Sequence, residues 1–239
     1  MIHKNLHQLQ IKKLSIVVPV YNEKNTIETI LSRLESVDLG VEKEIIIIDD
    51  GSKDGTRDIL KKHESRYKII YHEINQGKGA AVRTGLKNMS GDYVVIQDAD
   101  LEYNPSDFKR MLEYAKENNA EVVYGSRRLG KGKSPTAGWQ YYAGGVFLTF
   151  LTNFLCGTNI TDEATCYKMI SRNVLGKVNL TSTGFEFCPE ITAKIARQKI
   201  QIHEIPINYN PRSKKEGKKI RLKDGLISIW TLLKYRIRL

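Results

Sequence analysis

The chain has 239 residues, 27% charged and 41% apolar, which is enough to bury a sizeable core and excludes a disordered or fibrous protein. Lysine and arginine number 38 against 27 acidic residues, and the formal net charge of +11 favours acidic partners: nucleic acid, an anionic membrane or phosphorylated small molecules. Three cysteines without metal spacing and five scattered histidines argue against a zinc site and a disulfide framework, and point to a reducing compartment.

Residues 1–13 read as a polar lead-in with no apolar stretch of the kind a signal peptide needs. Residues 14–20 form a short apolar run that predicts a strand, followed by Tyr21-Asn22-Glu23. Ile27, Ile30, Leu31 and Leu34 recur at helical spacing within 25–37. Residues 44–48 predict a second buried strand, ending in Asp49-Asp50-Gly51-Ser52, and a helix follows through Ile59 and Leu60. A third strand is predicted over 68–72, a loop over 75–79 and a helix over 80–89. Residues 93–97 are the fourth strand, ending in Asp98-Ala99-Asp100. The alternation of strand and helix implies a mostly parallel sheet covered by helices, in which ligands sit beyond the carboxyl ends of the strands. All four strands end in a polar cluster, more than generic turn chemistry accounts for.

The fourth of these clusters carries specific chemistry. In an extended chain, side chains at i and i+2 share a face, so Asp98 and Asp100 converge on one point. A hard cation, Mg²⁺ or Mn²⁺, held by so few carboxylates shares its shell with substrate phosphates.

Asn104-Pro105 opens a helix predicted over 105–118, and a strand follows over 121–125. The apolar stretch 144–155 is too short to span a bilayer and reads either as a core helix or as a surface that meets lipid. Residues 202–209 alternate weakly and predict a strand. The tail from Arg212 to Leu239 is rich in lysine and arginine. Leu222, Leu226, Ile229, Trp230, Leu233 and Ile237 recur in it at helical spacing, which reads either as a basic amphipathic helix at a membrane or as a helix packed on the domain. No run of about 18 apolar residues predicts a transmembrane helix.

Taken in order, these motifs resemble the family 2 glycosyltransferases of the GT-A fold, and among them the polyprenyl-phosphate (dolichol-phosphate) mannose and glucose synthases. The resemblance runs over about 14–235. It rests on Pro19-Val20-Tyr21-Asn22-Glu23, Asp49-Asp50-Gly51-Ser52, Asn75-Gln76-Gly77-Lys78-Gly79, Asp98-Ala99-Asp100 and Gly125-Ser126-Arg127. It continues through residues 161–168, 185–191 and 205–209 to Arg212. It implies an α/β, Rossmann-like single domain over 14–210, with a donor half of about 14–127 and an acceptor half of about 128–210. The basic segment 211–239 follows.

It implies an inverting, metal-dependent transfer of a hexose from a UDP- or GDP-sugar to a polyprenyl phosphate. A sugar or glycan hydroxyl acceptor is the alternative, and a catalytically silent nucleotide-sugar-binding domain a further one. By the same resemblance Pro19, Tyr21, Glu23 and Asp50 hold the nucleotide, and Gly77, Lys78 and Ala99 join the donor-binding set. Asp98 and Asp100 hold the metal with Glu102 beside them, and Arg127 and Arg212 meet phosphate oxygens.

A hydroxyl acceptor needs a carboxylate base, for which Asp162, Glu186 and Glu190 are the candidates. Residues 139–155 lack the arginine that some of these synthases carry there, and no Gln-x-x-Arg-Trp motif points to a processive synthase. An oxidoreductase of the dinucleotide-binding class is excluded, because Tyr-Asn-Glu stands where Gly-x-Gly-x-x-Gly is needed. The expected setting is cytoplasmic, with reversible contact at the inner face of an anionic membrane and no nucleic-acid partner.

Overall fold

The structure, a computed structural model, describes residues 10–130, 139–212 and 222–237. In chain order the elements are β1 (Lys13–Val20), α1 (Ile27–Ser36), β2 (Glu42–Asp49), α2 (Thr56–Lys61), β3 (Lys68–Tyr71), α3 (Lys78–Lys87), β4 (Tyr93–Ile96) and α4 (Asp107–Asn118). They continue with β5 (Val122–Ser126), α5 (Trp139–Cys156), β6 (Lys168–Ser171), α6 (Arg172–Gly176), α7 (Phe187–Arg197), β7 (His203–Pro206) and α8 (Leu222–Ile237). The seven strands form one sheet in the order β3-β2-β1-β4-β6-β5-β7. The first four strands pair parallel, as expected from their alternation with helices, and β6 runs antiparallel to both β4 and β5. A single α/β domain results.

Alternation along the strands sorts the core into two layers. Ile16, Val18, Ile45, Ile47 and Val95 face α1 and α4, where Ile27, Ile30, Leu31, Leu34, Phe108, Met111 and Leu112 are buried. Val17, Ile46, Ile48 and Val94 face the opposite way, toward Ala81 of α3, Val174 of α6, and Ile191 and Ile195 of α7. Burial on both faces is why β1 and β2 read as continuous apolar runs. Each such side chain contributes roughly 1.5–3 kcal/mol. On α3 the fit to the sheet depends on Gly85, where a Cβ would stand 2.3 Å from Cγ1 of Val17 and 2.9 Å from Cδ1 of Ile48.

The apolar stretch 144–155 belongs to an 18-residue helix, α5, and the core-helix reading needs correction. Thr149 and Thr152 are its buried residues, while Phe147, Phe150 and Phe154 are exposed. The tail helix α8 packs against α5 and α7, burying Ser228, Thr231 and Leu232. Most of the N-terminal lead-in, and residues 213–221 of the basic tail, lie outside the described residues. No helix among the described residues is long and apolar enough to cross a membrane.

Glu190 ties α7 to α8. It is fully buried and accepts hydrogen bonds from Thr181 N (2.9 Å), Ser182 N (2.8 Å), Lys194 Nζ (2.6 Å) and the Tyr235 hydroxyl (2.7 Å). Burial works to raise its pKa, but these donors outweigh it and hold the carboxyl down to about 2. Its stabilisation is therefore complete above the unfolded carboxyl pKa, about 4.3, and is lost as pH falls toward about 2.

Two stability outcomes follow from this packing. Gly85→Ala overfills the α3–sheet contact and lowers stability by about 1–3 kcal/mol in urea unfolding, despite the better helix propensity of alanine. Glu190→Gln costs roughly 1–3 kcal/mol at pH 7, since several buried donors lose their charged acceptor. That deficit shrinks as pH is lowered through about 4, which paired unfolding curves at pH 7 and in acid would read.

Candidate active site

Register brings the strand ends together. Val20 pairs with Asp49 and Asp49 with Tyr71, and the amide of Gln97 donates to Val17 O at 2.9 Å, so β1 to β4 all finish at one edge. Past β1 the chain turns sharply at Asn22, whose φ of 51° is left-handed. The turn is held by Asn22 N to Ser52 Oγ (2.9 Å) and Lys53 N to Asn22 Oδ1 (2.9 Å). Pro19 and Tyr21 flank this turn, half-buried, and Glu23 is buried beneath it.

Asp50 organises the neighbouring loop. Its carboxylate is buried and accepts the amides of Gln76 (2.9 Å) and Gly77 (2.8 Å), with Nδ1 of His72 at 2.7 Å. Gly77 needs its glycine, because φ is 96° and a Cβ would sit 2.4 Å from Thr183 O. Asp50, expected to face the nucleotide, therefore acts on the loop that carries Gly77 and Lys78. Ala99 is buried in the core layer against α1 and α4, which leaves its backbone for contact with a ligand.

The expected metal pair is held by two cations. Lys78 Nζ lies 2.6 Å from Asp98 Oδ1 and 2.9 Å from Cys166 Sγ, above the rings of Phe185 and Phe187. Burial lowers the Lys78 pKa, but Asp98 and the thiols of Cys166 and Cys188 outweigh it and hold it well above the usual value. On the other side Arg212 places Nη2 3.0 Å from Glu23 Oε1 and 3.3 Å from Asp100 Oδ2. Asp100 is pushed up to about 7 by burial first, then by Asp98 and Glu102, with Arg212 and Lys78 opposing.

Glu102 is engaged differently from the expected third metal ligand. One oxygen accepts the Arg212 amide at 2.8 Å and the other the Tyr209 hydroxyl at 2.8 Å. Among the described residues no group of three His, Cys, Asp or Glu side chains is placed to hold a metal. The donor set is thus two carboxylates, which suits a hard divalent ion that completes its shell from a phosphorylated ligand. Arg212 Nε is buried without a partner beside this set, a donor left for an anion.

Two further expectations are rearranged. Arg127 does not face open cleft: Nε and Nη2 each donate to Asp162 at 2.6 Å, and the guanidinium lies 5.0 Å from the Tyr209 ring centroid. Burial raises the Asp162 pKa, but Arg127 outweighs it and holds it below the usual range, so this carboxylate is a counter-ion and not a free base. Glu186 closes the turn before α7 by accepting the amides of Thr183 (3.1 Å) and Gly184 (3.0 Å).

Several supporting side chains carried no role in the sequence reading. Gln97 is buried, donates to Asp98 O (2.8 Å) and accepts from the Tyr167 hydroxyl (2.5 Å). Tyr103 stacks on Tyr167 at 4.6 Å and meets Tyr209 at 5.1 Å. A polar side chain ending a wholly apolar strand was the one sequence signal for Gln97, whereas the tyrosine wall is assembled from three distant segments. Beside the carboxylates opens a cleft of about 770 Å³, lined by Glu23, Arg33, Asp54, Asp100, Tyr209 and Arg212 among others. That size is within the range of small-molecule sites.

Comparison with known proteins identifies the family and the fold. The dolichol-phosphate mannosyltransferase of Pyrococcus furiosus is 29% identical over 212 residues, covering 86% of this chain and 59% of that protein. The UDP-N-acetylglucosamine–dolichyl-phosphate N-acetylglucosaminyltransferase of Methanococcus voltae is 29% identical over 216 residues, covering 82% of this chain and 85% of that one. The chain thus spans about three-fifths of the first relative's length and most of the second's. Among solved structures, glucosyl-3-phosphoglycerate synthase from Mycobacterium tuberculosis superposes with a TM-score of 0.73 at 19% identity, over 94% of this chain and 78% of that one, a likeness of fold. The family description "Glycosyl transferase family 2" matches residues 15–178, well over half of the sequence, and the chain belongs to that family.

Proposed function

We propose that this domain transfers a hexose, with inversion, from a nucleotide diphosphate sugar to a polyprenyl phosphate. The observation that carries the reading is the Asp98–Asp100 pair at a strand end with Arg212 across from it, in a chain whose named relatives act on dolichyl phosphate. Solved structures of the same fold hold UDP with Mn²⁺ or Mg²⁺, which supports a UDP-type donor and either ion. Asp98 and Asp100 would hold the ion, which when bound supplies positive charge to the departing diphosphate.

The remaining work falls to the chain's own residues. Pro19, Tyr21 and Glu23 border the base and ribose, and Asp50 keeps the loop of Gly77 and Lys78 in place for the diphosphate. Lys78 and Arg212, which pair with Asp98 and Asp100 here, would be released to the phosphate oxygens once a divalent charge neutralises those carboxylates, and would meet the charge that builds on the leaving group. The Arg127–Asp162 pair and Tyr209 form a fixed wall on the acceptor side. Inversion then needs in-line attack by a positioned nucleophile. A phosphate monoester is already ionised, so it reacts without Asp162 or Glu186 acting as a base. Because the acceptor's tail is hydrocarbon, the reaction takes place at a membrane surface, on the cytoplasmic side.

A second reading keeps the donor and takes a small phosphorylated hydroxyl acceptor. The phosphoglycerate synthases that share the fold favour it.

A panel of UDP- and GDP-sugars with Mg²⁺ or Mn²⁺ tests both, with a short polyprenyl phosphate or 3-phosphoglycerate as acceptor and nucleoside diphosphate release as the readout. Release stimulated only by polyprenyl phosphate is the expected result, and stimulation by phosphoglycerate alone overturns it. On the active donor, Asp98→Asn and Asp100→Asn each lower kcat/KM by about 100-fold or more, near 2.7 kcal/mol, with unchanged circular dichroism. EDTA reproduces the loss in the wild type and added metal restores it. Arg212→Ala weakens turnover more than Arg212→Lys, because the lysine keeps the charge but not the fork that spans Glu23 and Asp100.

A further inference from the structure

Residues 181–184 lie between α6 and α7 with no strand or helix of their own. Their successive amides are nonetheless all satisfied, by two carboxylates from the start of α7. Glu190 accepts those of Thr181 (2.9 Å) and Ser182 (2.8 Å), and Glu186 those of Thr183 (3.1 Å) and Gly184 (3.0 Å). A stretch of backbone without a ladder takes its shape from such partners.

The carbonyls of the same residues meet the N-terminal end of α3. Thr183 O accepts the Ala80 amide at 3.0 Å, and Thr181 O accepts from Arg83 Nη1 at 2.9 Å. The contact has no slack. A Cβ on Gly77 would stand 2.4 Å from Thr183 O, and one on Gly79 2.7 Å from Gly184 O and 2.8 Å from Ser182 O. Backbone rests on backbone with no side chain between them to give, so a shift of 181–184 passes to the loop of Gly77 and Lys78. The tail helix enters this arrangement at one atom. The Tyr235 hydroxyl, in the last turn of α8, donates to Glu190 Oε1 at 2.7 Å and stands 2.9 Å from Thr181 Oγ1. The other donors to Glu190 belong to α7 or to the segment itself, so Tyr235 is the one that ties both to a distant element.

We propose that Tyr235 is a positioning residue for donor binding: through Glu190 it sets the 181–184 segment, against which the loop of Gly77 and Lys78 is seated. Tyr235 and Glu190 do not line the cleft beside Asp100, so they reach a ligand only through this chain of contacts. Lys78 follows the segment in a second way, since its ammonium lies above the rings of Phe185 and Phe187, which come directly after Gly184. The seating of the last helix is thereby read at the donor loop. The proposal rests on the nucleotide-sugar reading only for the identity of the ligand that this loop meets.

Calorimetric titration of the full chain with UDP or GDP, whichever the wild type binds with Mn²⁺, tests it in Tyr235→Phe, which removes the hydroxyl and keeps the ring. Binding about threefold to tenfold weaker is expected, with the donor KM raised by the same factor and kcat and the acceptor KM within about twofold of wild type. Glu190→Gln weakens binding in the same direction, and the double variant is no worse than Glu190→Gln alone, because the two residues act in series. Without nucleotide, hydrogen exchange over 77–82 is at least about threefold faster in Tyr235→Phe. Tyr93→Phe is the control for stability alone, since its buried hydroxyl donates to Ala120 O at 3.0 Å, away from this chain of contacts. It lowers stability in urea and leaves nucleotide affinity unchanged. Wild-type affinity or wild-type exchange in Tyr235→Phe overturns the proposal. So do fold-changes that multiply in the double variant, or an equal loss of affinity in Tyr93→Phe. Faster exchange in Tyr235→Phe of a protein whose wild type binds neither nucleotide upholds the contact chain and defeats the donor reading.

Discussion

Glu23, Asp98, Asp100 and Glu102 converge where β1 and β4 end, and gathering four carboxylates in one place, Glu23 buried and the other three half-buried, is the demand that the rest of the site answers. Desolvation and mutual repulsion are strong enough to push Asp100 up to about 7 even with two cations nearby. Lys78 and Arg212 supply the opposing charge from opposite sides. Removing one member of a buried pair typically costs about 3–5 kcal/mol, because its partner is then left uncompensated. The return of the chain from β7 across the strand ends follows from this. Arg212 reaches back to Glu23, and Asn210 N and Arg212 N both lock onto Glu102, through its carbonyl and its carboxylate, at 2.8 Å.

Around that cluster the polar groups are arranged in tiers. Gln97 fixes the backbone at Asp98 and is itself fixed by Tyr167, which Tyr103 and Phe108 hold by ring contact. Asp50 fixes the loop of Lys78, and His72, bridged to Thr84 Oγ1 at 3.0 Å, is in reach of Asp50 in turn. The backbone at Asp98 and the loop of Lys78 are thus each held by a side chain that has a further partner of its own.

The first half of the fold, β1 to β4, was legible in the sequence because its signals are local. Strands β1, β2 and β4 are apolar on both faces, and each gives way to Asn, Asp or Gly where the parallel sheet requires a turn. The second half was not. Strand β6 has four residues, begins with the buried Lys168 and is antiparallel, so neither alternation nor apolar run marks it. Lys168 survives burial by donating to Glu163 O at 2.8 Å and lying over the Tyr124 ring, contacts that no local pattern encodes. Arg127 and Asp162 were both recognised as site residues, but 35 positions separate them, and only the fold reveals that each satisfies the other. Segment 144–155 was ambiguous for a different reason. Its composition fits a core helix and a lipid-facing one equally, and only the fold shows that its threonines are buried and its phenylalanines exposed.

The two cations also bear on how substrate enters. With no donor bound, Lys78 and Arg212 are spent on neutralising the chain's own carboxylates, and the orphaned Nε of Arg212 shows that the pairing is incomplete. On the proposed reading, a nucleotide diphosphate would add negative charge beside Glu23, Asp98, Asp100 and Glu102, while Lys78 and Arg212 are engaged with three of those carboxylates. Its binding becomes favourable when Asp98 and Asp100 are neutralised by another positive charge, which releases Lys78 and Arg212 to the diphosphate. On that reading the carboxylate pair would set when the donor can bind as well as hold the ion. Donor affinity and divalent ion would then be linked through the charge balance of these side chains, before any step of bond breaking is considered.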